Sequence, residues 1–335
     1  MLTIDGSYGE GGGQILRTTL ALSMINGMKV KVENIRANRP NPGLSYQHLM
    51  AVKASSEICD AETEGVKKGS DQIIFDPGEL KGGTYKFDIG TAGSVTLLLQ
   101  AIIPPALSAQ NKVTLKVSGG TDVKWSPPYD YFENVFLELV RSMNGKIDTE
   151  LIKRGHYPKG GGEIKVDIEP SDLKKLAFQD EGNNISKVEG RAFVTDLPDH
   201  IAERMKKEAL KEFLEIDTDI SISKYNSPSP GTGIVLWTRG NRVLGKGRLG
   251  EKGVPAEKVG KKTAEELKEE IVSDVDLDTN AADQIIPFLP ICEGSGIFTT
   301  RKITDHLKTN IWVTNKFHED DIELIEKDDR VVIKY

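Results

Sequence analysis

Apolar residues recur along this chain with two alternating periods, and the switches between them mark out its elements. Period-two alternation over residues 2–4 predicts a strand, followed by a glycine-rich loop at 9–13. A helical period runs from 14 to about 25, and a second strand is expected at 29–35. An Asn/Pro/Gly loop at 37–44, a helix at 45–58 and a strand at 72–75 complete a β-α-β-α-β unit. Residues 82–169 repeat the plan: strand 84–88, loop 90–93, helix 94–103, strand 112–117, loop 119–128, helix 129–143 and strand 163–168. The period is about 85 residues.

The pattern then changes. Strands are predicted at 188–194, 219–224 and 233–238, with helices at 200–214 and 255–272. The polar stretch 179–184 reads as an entry linker and 273–280 as an exit, so residues 184–276 are expected to form a small inserted α/β domain. A helix at 281–290, a strand at 296–300, a helix at 309–317 and two short strands resemble part of a third unit. The expected fold class is α/β (α+β). Three repeated units would build a large domain from residues 1–183 and 277–335.

Composition narrows the picture. Hydrophobic residues make up 38% of the 335 positions, enough for a substantial core. The chain has no apolar run long enough to span a bilayer, and its start lacks the basic and apolar regions of a secretory signal. Cys59 and Cys292 can form neither a disulfide framework nor a metal-binding spacing, so a reducing cytoplasm is the expected setting. The net charge of −7 argues against bulk binding to a polyanion. A nucleic-acid partner would have to be held by a local patch touching few phosphates.

The glycine-rich loop at 9–13 opens a helix and so offers free backbone N–H groups to an anion. It does not match the dinucleotide pattern G-x-G-x-x-G, because Gln14 stands where the last glycine belongs. It is not a P-loop either, and Gly260-Lys261-Lys262-Thr263 fails that pattern because Pro255 replaces its first glycine. The sharpest local feature is RGHYPKGGGEI at 154–164, where Arg154 and Lys159 flank a triple glycine with positive charge. Among the five histidines, His48, His156, His200, His306 and His318, His306 is expected in a loop before a helix starting near Thr309.

Residues 154–162 resemble the signature of the RNA 3′-terminal phosphate cyclase family: Arg or His, Gly, two variable positions, Pro, one variable position and three glycines. Similar matches occur at EGGGQILR (10–17), at 36–43 with Gln47, at 90–100, at 119–122, at Ala282-Asp283-Gln284 and at HLKTN (306–310). The resemblance implies three repeated α/β units with an inserted domain. It also implies an ATP-dependent activity in which His306 carries AMP to an RNA 3′-phosphate end. By the same resemblance, Arg17, Arg39 and Gln47 would hold the terminal phosphate of the RNA. Glu10, Gln100, Ala281, Ala282, Asp283 and Gln284 would line the ATP site, with Glu10 also meeting Mg²⁺ or Mn²⁺.

Three alternatives fit less well. Ligases carry AMP on the lysine of a Lys-x-Asp-Gly motif, whereas this chain has Thr3-Ile4-Asp5-Gly6. Cyclase-like scaffold proteins lack the histidine that His306 supplies. Enolpyruvyl transferases need about twice the number of repeats that this length allows.

Overall fold

A computed structural model describes residues 1–178, 182, 184–318, 322–327 and 329–335. The first unit contains β1 (Leu2–Asp5), α1 (Gly13–Asn26), β2 (Val30–Glu33), α2 (Tyr46–Cys59), β3 (Glu62–Glu64) and β4 (Ile73–Asp76). Its sheet has the order β1-β2-β4-β3, with β1 parallel to β2 and the other pairs antiparallel. The second unit has the same plan. It contains β5 (Gly83–Asp88), α3 (Val95–Leu107), β6 (Val113–Gly119), α4 (Tyr129–Tyr131), α5 (Leu137–Ser142), β7 (Lys146–Lys153) and β8 (Gly162–Glu169). The sheet order β5-β6-β8-β7 and its mixture of parallel and antiparallel pairs match the first unit strand for strand. The repeat is therefore physical, and each unit is β-α-β-α-β-β.

The expected units lacked one strand each. β3 is ETE and fully exposed, so it has no apolar alternation to reveal it. β7, KIDTELIK, is mostly polar on its outer face and pairs only through β8. Helix α3 also runs past its expected end, through Pro104 and Pro105, because its far end is buried in the core. Between α4 and α5 the helix widens into a π turn, Phe132–Phe136, whose phenylalanines are fully buried.

The next segment forms a sheet of its own, β10-β9-β11-β12, from β9 (Ile185–Thr195), β10 (Thr218–Tyr225), β11 (Gly231–Gly240) and β12 (Gly245–Leu249). Helices α6 (His200–Leu210) and α7 (Ala256–Val272) cover one face. β12, GKGRL, was not expected, since its glycines and charges read as a loop. The linker expected at 179–184 falls largely outside the described residues. Strand β11 joins two cores by simple alternation: Ile234 and Leu236 face the α6–α7 layer, while Val235 and Trp237 face the large core.

The chain then returns as α8 (Thr279–Ile285), a 3₁₀ segment (Ile286–Ile291), β13 (Ile297–Thr300), α9 (Asp305–Thr314), β14 (Glu323–Glu326) and β15 (Val331–Lys334). The antiparallel order β13-β15-β14 repeats β2-β4-β3. Its parallel partner is reduced to one bridge, Lys174 to Glu293, which lies before the inserted sheet in sequence. The third unit is thus interrupted after its first strand. Helix α1 packs against both α3 and α9, so that helices of all three units meet.

Candidate active site

The site forms where α1 meets α9. Helix α9 begins at Asp305, four residues earlier than expected, because Thr304 caps it and its Oγ1 accepts the Leu307 N–H at 2.9 Å. His306 is therefore a first-turn helical residue, not a loop residue. The cue was present in Thr304 followed by Asp305, a capping residue and then an acid suited to a helix start. A helix surface orients the imidazole more firmly than a loop would, and the α9 N-terminus adds partial positive charge beside it.

Glu10 connects the site. Its Oε1 lies 3.1 Å from His306 Nδ1, and its Oε2 lies 3.0 Å from Arg39 Nη2. The Glu10–His306 contact has ion-pair distance without full hydrogen-bond alignment, and Oε1 has no hydrogen-bond partner among the described residues. Glycine is required around it: a Cβ on Gly12 would stand 2.6 Å from Glu10 Oε1 and 2.8 Å from Arg39 Nη2. The His306 side chain is 49% exposed. Desolvation pushes its pKa below the usual value, with Glu10 opposing that shift and Arg17 and Arg39 reinforcing it. The imidazole is accordingly neutral at pH 7, with Nδ1 facing the carboxylate and Nε2 left as the free edge.

Arg17 lies one turn into α1 and is buried. Its Nη2 donates to Gln14 Oε1 at 2.6 Å, and its Nε has no partner among the described residues. Burial pushes its pKa down to about 10, only partly offset by Glu10. A buried cation held by one neutral amide is a costly arrangement that an incoming anion would relieve. Gln14 Nε2 donates in turn to Asn310 Oδ1 at 2.8 Å, and Asn310 Nδ2 donates to the Asp283 carbonyl at 2.6 Å. The residues after His306 therefore fasten α9 to α1 and α8.

Asp283 accepts Thr304 Oγ1–H at 2.6 Å, and burial pushes its pKa up to about 7. Gln284 accepts from Gln100 Nε2 at 2.7 Å across the α3–α8 contact. Ala281 and Ala282 are fully buried, and their amides are used at the capped start of α8, so they support Asp283 and Gln284 without offering side-chain surface. Gln47 is also partly committed: its Oε1 accepts the Ser94 N–H at 3.1 Å, leaving its NH₂ group for a ligand. His48, not singled out from sequence, closes the floor of the site. Burial and the nearby Arg17, Arg36 and Arg39 press its pKa down to about 3. Its ring occupies the space a side chain at Gly13 would need.

The triple-glycine segment has a different part from the one its charges suggested. Arg154 is 0% exposed and bonded to Asp122 at 2.8 Å and Asp130 at 2.5 Å, so it offers no charge to a ligand. Its guanidinium stacks over the inserted-sheet rings Phe193, at 3.9 Å, and Tyr225, at 4.6 Å. Arg191 reaches the same Asp130 at 2.9 Å, and His156 bonds Thr195 at 3.0 Å. A Cβ on Gly155 would meet Gly162 N at 2.3 Å, and one on Gly160 would meet the Thr91 carbonyl at 2.7 Å. The segment is a clasp between the inserted sheet and the second unit.

The sequence pattern of the family described as RNA 3′-terminal phosphate cyclase matches residues 8–324. A protein of Methanopyrus kandleri named RNA 3′-terminal phosphate cyclase is 47% identical over 339 aligned positions, covering 98% of this chain and 96% of the relative. A like-named protein of Pyrococcus furiosus is 48% identical, covering 95% and 93%, and one of Archaeoglobus fulgidus is 46% identical, covering 95% of each. With that match running almost end to end, the chain belongs to the RNA 3′-terminal phosphate cyclase family.

Proposed function

We propose that this protein converts an RNA 3′-terminal phosphate into a 2′,3′-cyclic phosphate at the expense of ATP, with His306 as the AMP carrier. The observation that carries the reading is the half-exposed, neutral His306, whose Nδ1 faces Glu10 at 3.1 Å while Nε2 is free. A neutral imidazole can attack phosphorus without first losing a proton. In the first step Nε2 bonds to the α-phosphorus of ATP, the bond to the β-phosphate oxygen breaks, and pyrophosphate leaves. An oxygen of the RNA 3′-phosphate then attacks the same phosphorus, and the N–P bond breaks. In the last step the 2′-oxygen attacks the 3′-phosphorus, giving up its proton as AMP departs and the ring closes. The activation is needed because oxide or water would otherwise be the leaving group.

Arg17 and Arg39 are suited to the terminal phosphate. One is buried with no carboxylate ion pair among the described residues, and the other projects from an exposed loop toward Glu10. The Gln47 amide group would complete that cradle. Gln100, Asp283 and Gln284 would contact the nucleotide. Mg²⁺ or Mn²⁺ would take Glu10 Oε1, a buried carboxylate oxygen without a hydrogen-bond partner among the described residues, and complete its shell from phosphate oxygens and water. Such an ion would neutralise charge gathering on the phosphates. Among the described residues no helix is long and apolar enough to cross a membrane, and both cysteines are free, in keeping with work in a reducing cytoplasm.

The test is end chemistry. Matched RNA strands ending in 3′-phosphate, 3′-hydroxyl and 2′-deoxy-3′-phosphate are incubated with ATP and resolved on a sequencing gel. Only the first should cyclise, and the deoxy strand should accumulate an adenylylated end for want of a nucleophile. Cyclic ends from the 3′-hydroxyl strand, or no adenylylated species from the deoxy strand, would refute the mechanism.

A further inference from the structure

The repeat places an unassigned residue in the loop equivalent to the one that carries Arg39. In both units the loop after the second strand sits at the carboxyl ends of the two parallel strands, where open α/β sheets place their ligands. In the first unit that loop carries Arg39. In the second unit, the loop between β6 and α4 carries Trp125, which is 95% exposed. Tyr157, in the triple-glycine segment, is 78% exposed.

Isolated exposed aromatics are common, but Trp125 is held out by a rigid frame. Its neighbours Thr121, Asp122 and Val123 are buried, and its own φ is +61°, a conformation that non-glycine residues rarely adopt. Ser126 Oγ bonds the Val123 carbonyl at 2.9 Å, Thr96 Oγ1 bonds the Pro127 carbonyl at 2.9 Å, and Lys124 pairs with Glu251 at 2.9 Å. Together these ties fix the loop on both sides of the tryptophan and leave its ring exposed. Strain of this kind persists where the surroundings enforce it and is concentrated at functional sites.

The two aromatic loops are joined. Thr121 N–H donates to the Gly155 carbonyl at 2.9 Å, and His156 Nδ1 lies 3.1 Å from the Asp122 carbonyl. Both loops also reach the phosphate-binding side. Gly120 bridges to Ser94, Gly160 packs on Thr91, and Ser94 N–H is the group that Gln47 accepts. Lys159, exposed beside Tyr157, makes no ion pair among the described residues.

Resting on the cyclase reading above, we propose that Trp125 and Tyr157 form a stacking platform for nucleobases of a single RNA strand just behind its terminal phosphate. Aromatic faces bind bases of any sequence, and an unpaired lysine beside them suits a single phosphate linkage. A chain of net charge −7 gains strand affinity this way without a long basic groove.

The experiment compares wild type with Trp125→Phe, Trp125→Asn, Tyr157→Ala and the Trp125→Asn/Tyr157→Ala pair. Asparagine tolerates positive φ, so the loop should fold in that variant. Binding is read by fluorescence anisotropy, using a 3′-phosphorylated RNA decamer and the same decamer with its three terminal bases removed. Wild type and Trp125→Phe should prefer the intact strand, each single loss should weaken that strand about tenfold, and the pair should bind both strands alike. Variants that keep the wild-type preference would overturn the platform, as would variants that instead raise KM for ATP, which would assign the ring to adenine. If the cyclase reading alone is wrong, base-dependent anisotropy remains while no strand is cyclised. If the platform alone is wrong, wild type cyclises the decamer and all variants bind it equally.

Discussion

Glu10 Oε1 faces His306 Nδ1 at 3.1 Å although the two residues lie at opposite ends of the chain. They meet because α1 and α9, which belong to the first and third units, pack side by side. The carboxylate sits beside Nδ1 and leaves Nε2 as the free edge of the ring.

Adding ATP with Mg²⁺ or Mn²⁺ should therefore attach one AMP to the protein, in an acid-labile bond. His306→Ala should abolish the adduct, and His318→Ala should retain it. Intact-protein mass before and after ATP, with sequencing of the modified peptide, checks this. An adduct surviving in His306→Ala would reassign the carrier.

Arg39 offers a cleaner separation of steps. Arg39→Ala should still accept AMP yet cyclise RNA at least about tenfold more slowly, the loss expected for one charge-assisted phosphate contact. It should also move the His306 pKa upward, because Arg39 is one of the charges holding it down. The reactive imidazole is the neutral form, so the acid limb of self-adenylylation should shift to higher pH. An NMR titration of the His306 ring measures the shift directly. Equal loss of both half-reactions would place Arg39 in the ATP site.

Alanine at Gly13 should destabilise the fold by about 1–3 kcal/mol, despite a helix-propensity gain of about 1 kcal/mol. Its Cβ would stand 1.8 Å from His48 Nε2. Combining Gly13→Ala with His48→Ala should recover part of that loss, as denaturant unfolding would show.

His48 also sets an acid limit. Its folded pKa of about 3 lies below its ordinary 6.5, chiefly through burial, so the unfolded chain takes up the proton first. The stability it contributes is complete above pH 6.5 and is lost as pH falls from 6.5 toward 3. His48→Phe should flatten that part of an acid-denaturation curve.

Arg154→Met should cost about 3–5 kcal/mol, because Asp122 and Asp130 lose a fully buried partner. Lys153→Ala, on an exposed neighbour, should change stability by less than about 0.5 kcal/mol. Thermal unfolding of the two variants compares them. A small loss at Arg154 would mean that the clasp is not under electrostatic load.

The β-α-β-α-β repeat was legible from local pattern, because apolar periodicity and glycine punctuation report what each stretch must bury; His306 was expected in a loop, and its place on α9 emerged only from the Thr304 cap. Elements with little to bury were missed: β3 is a short exposed edge, and β12 pairs through a backbone rich in glycine and charge. Sequence also determined which residue types were available for phosphate chemistry. It could not decide their assignment. Along the chain Arg154 and Arg17 are each an arginine close to a glycine-rich run, yet one is neutralised by two aspartates and the other is buried without a carboxylate ion pair among the described residues. That difference arises from contacts between residues far apart in sequence, where burial sets the cost of a charge and geometry determines which partner meets it.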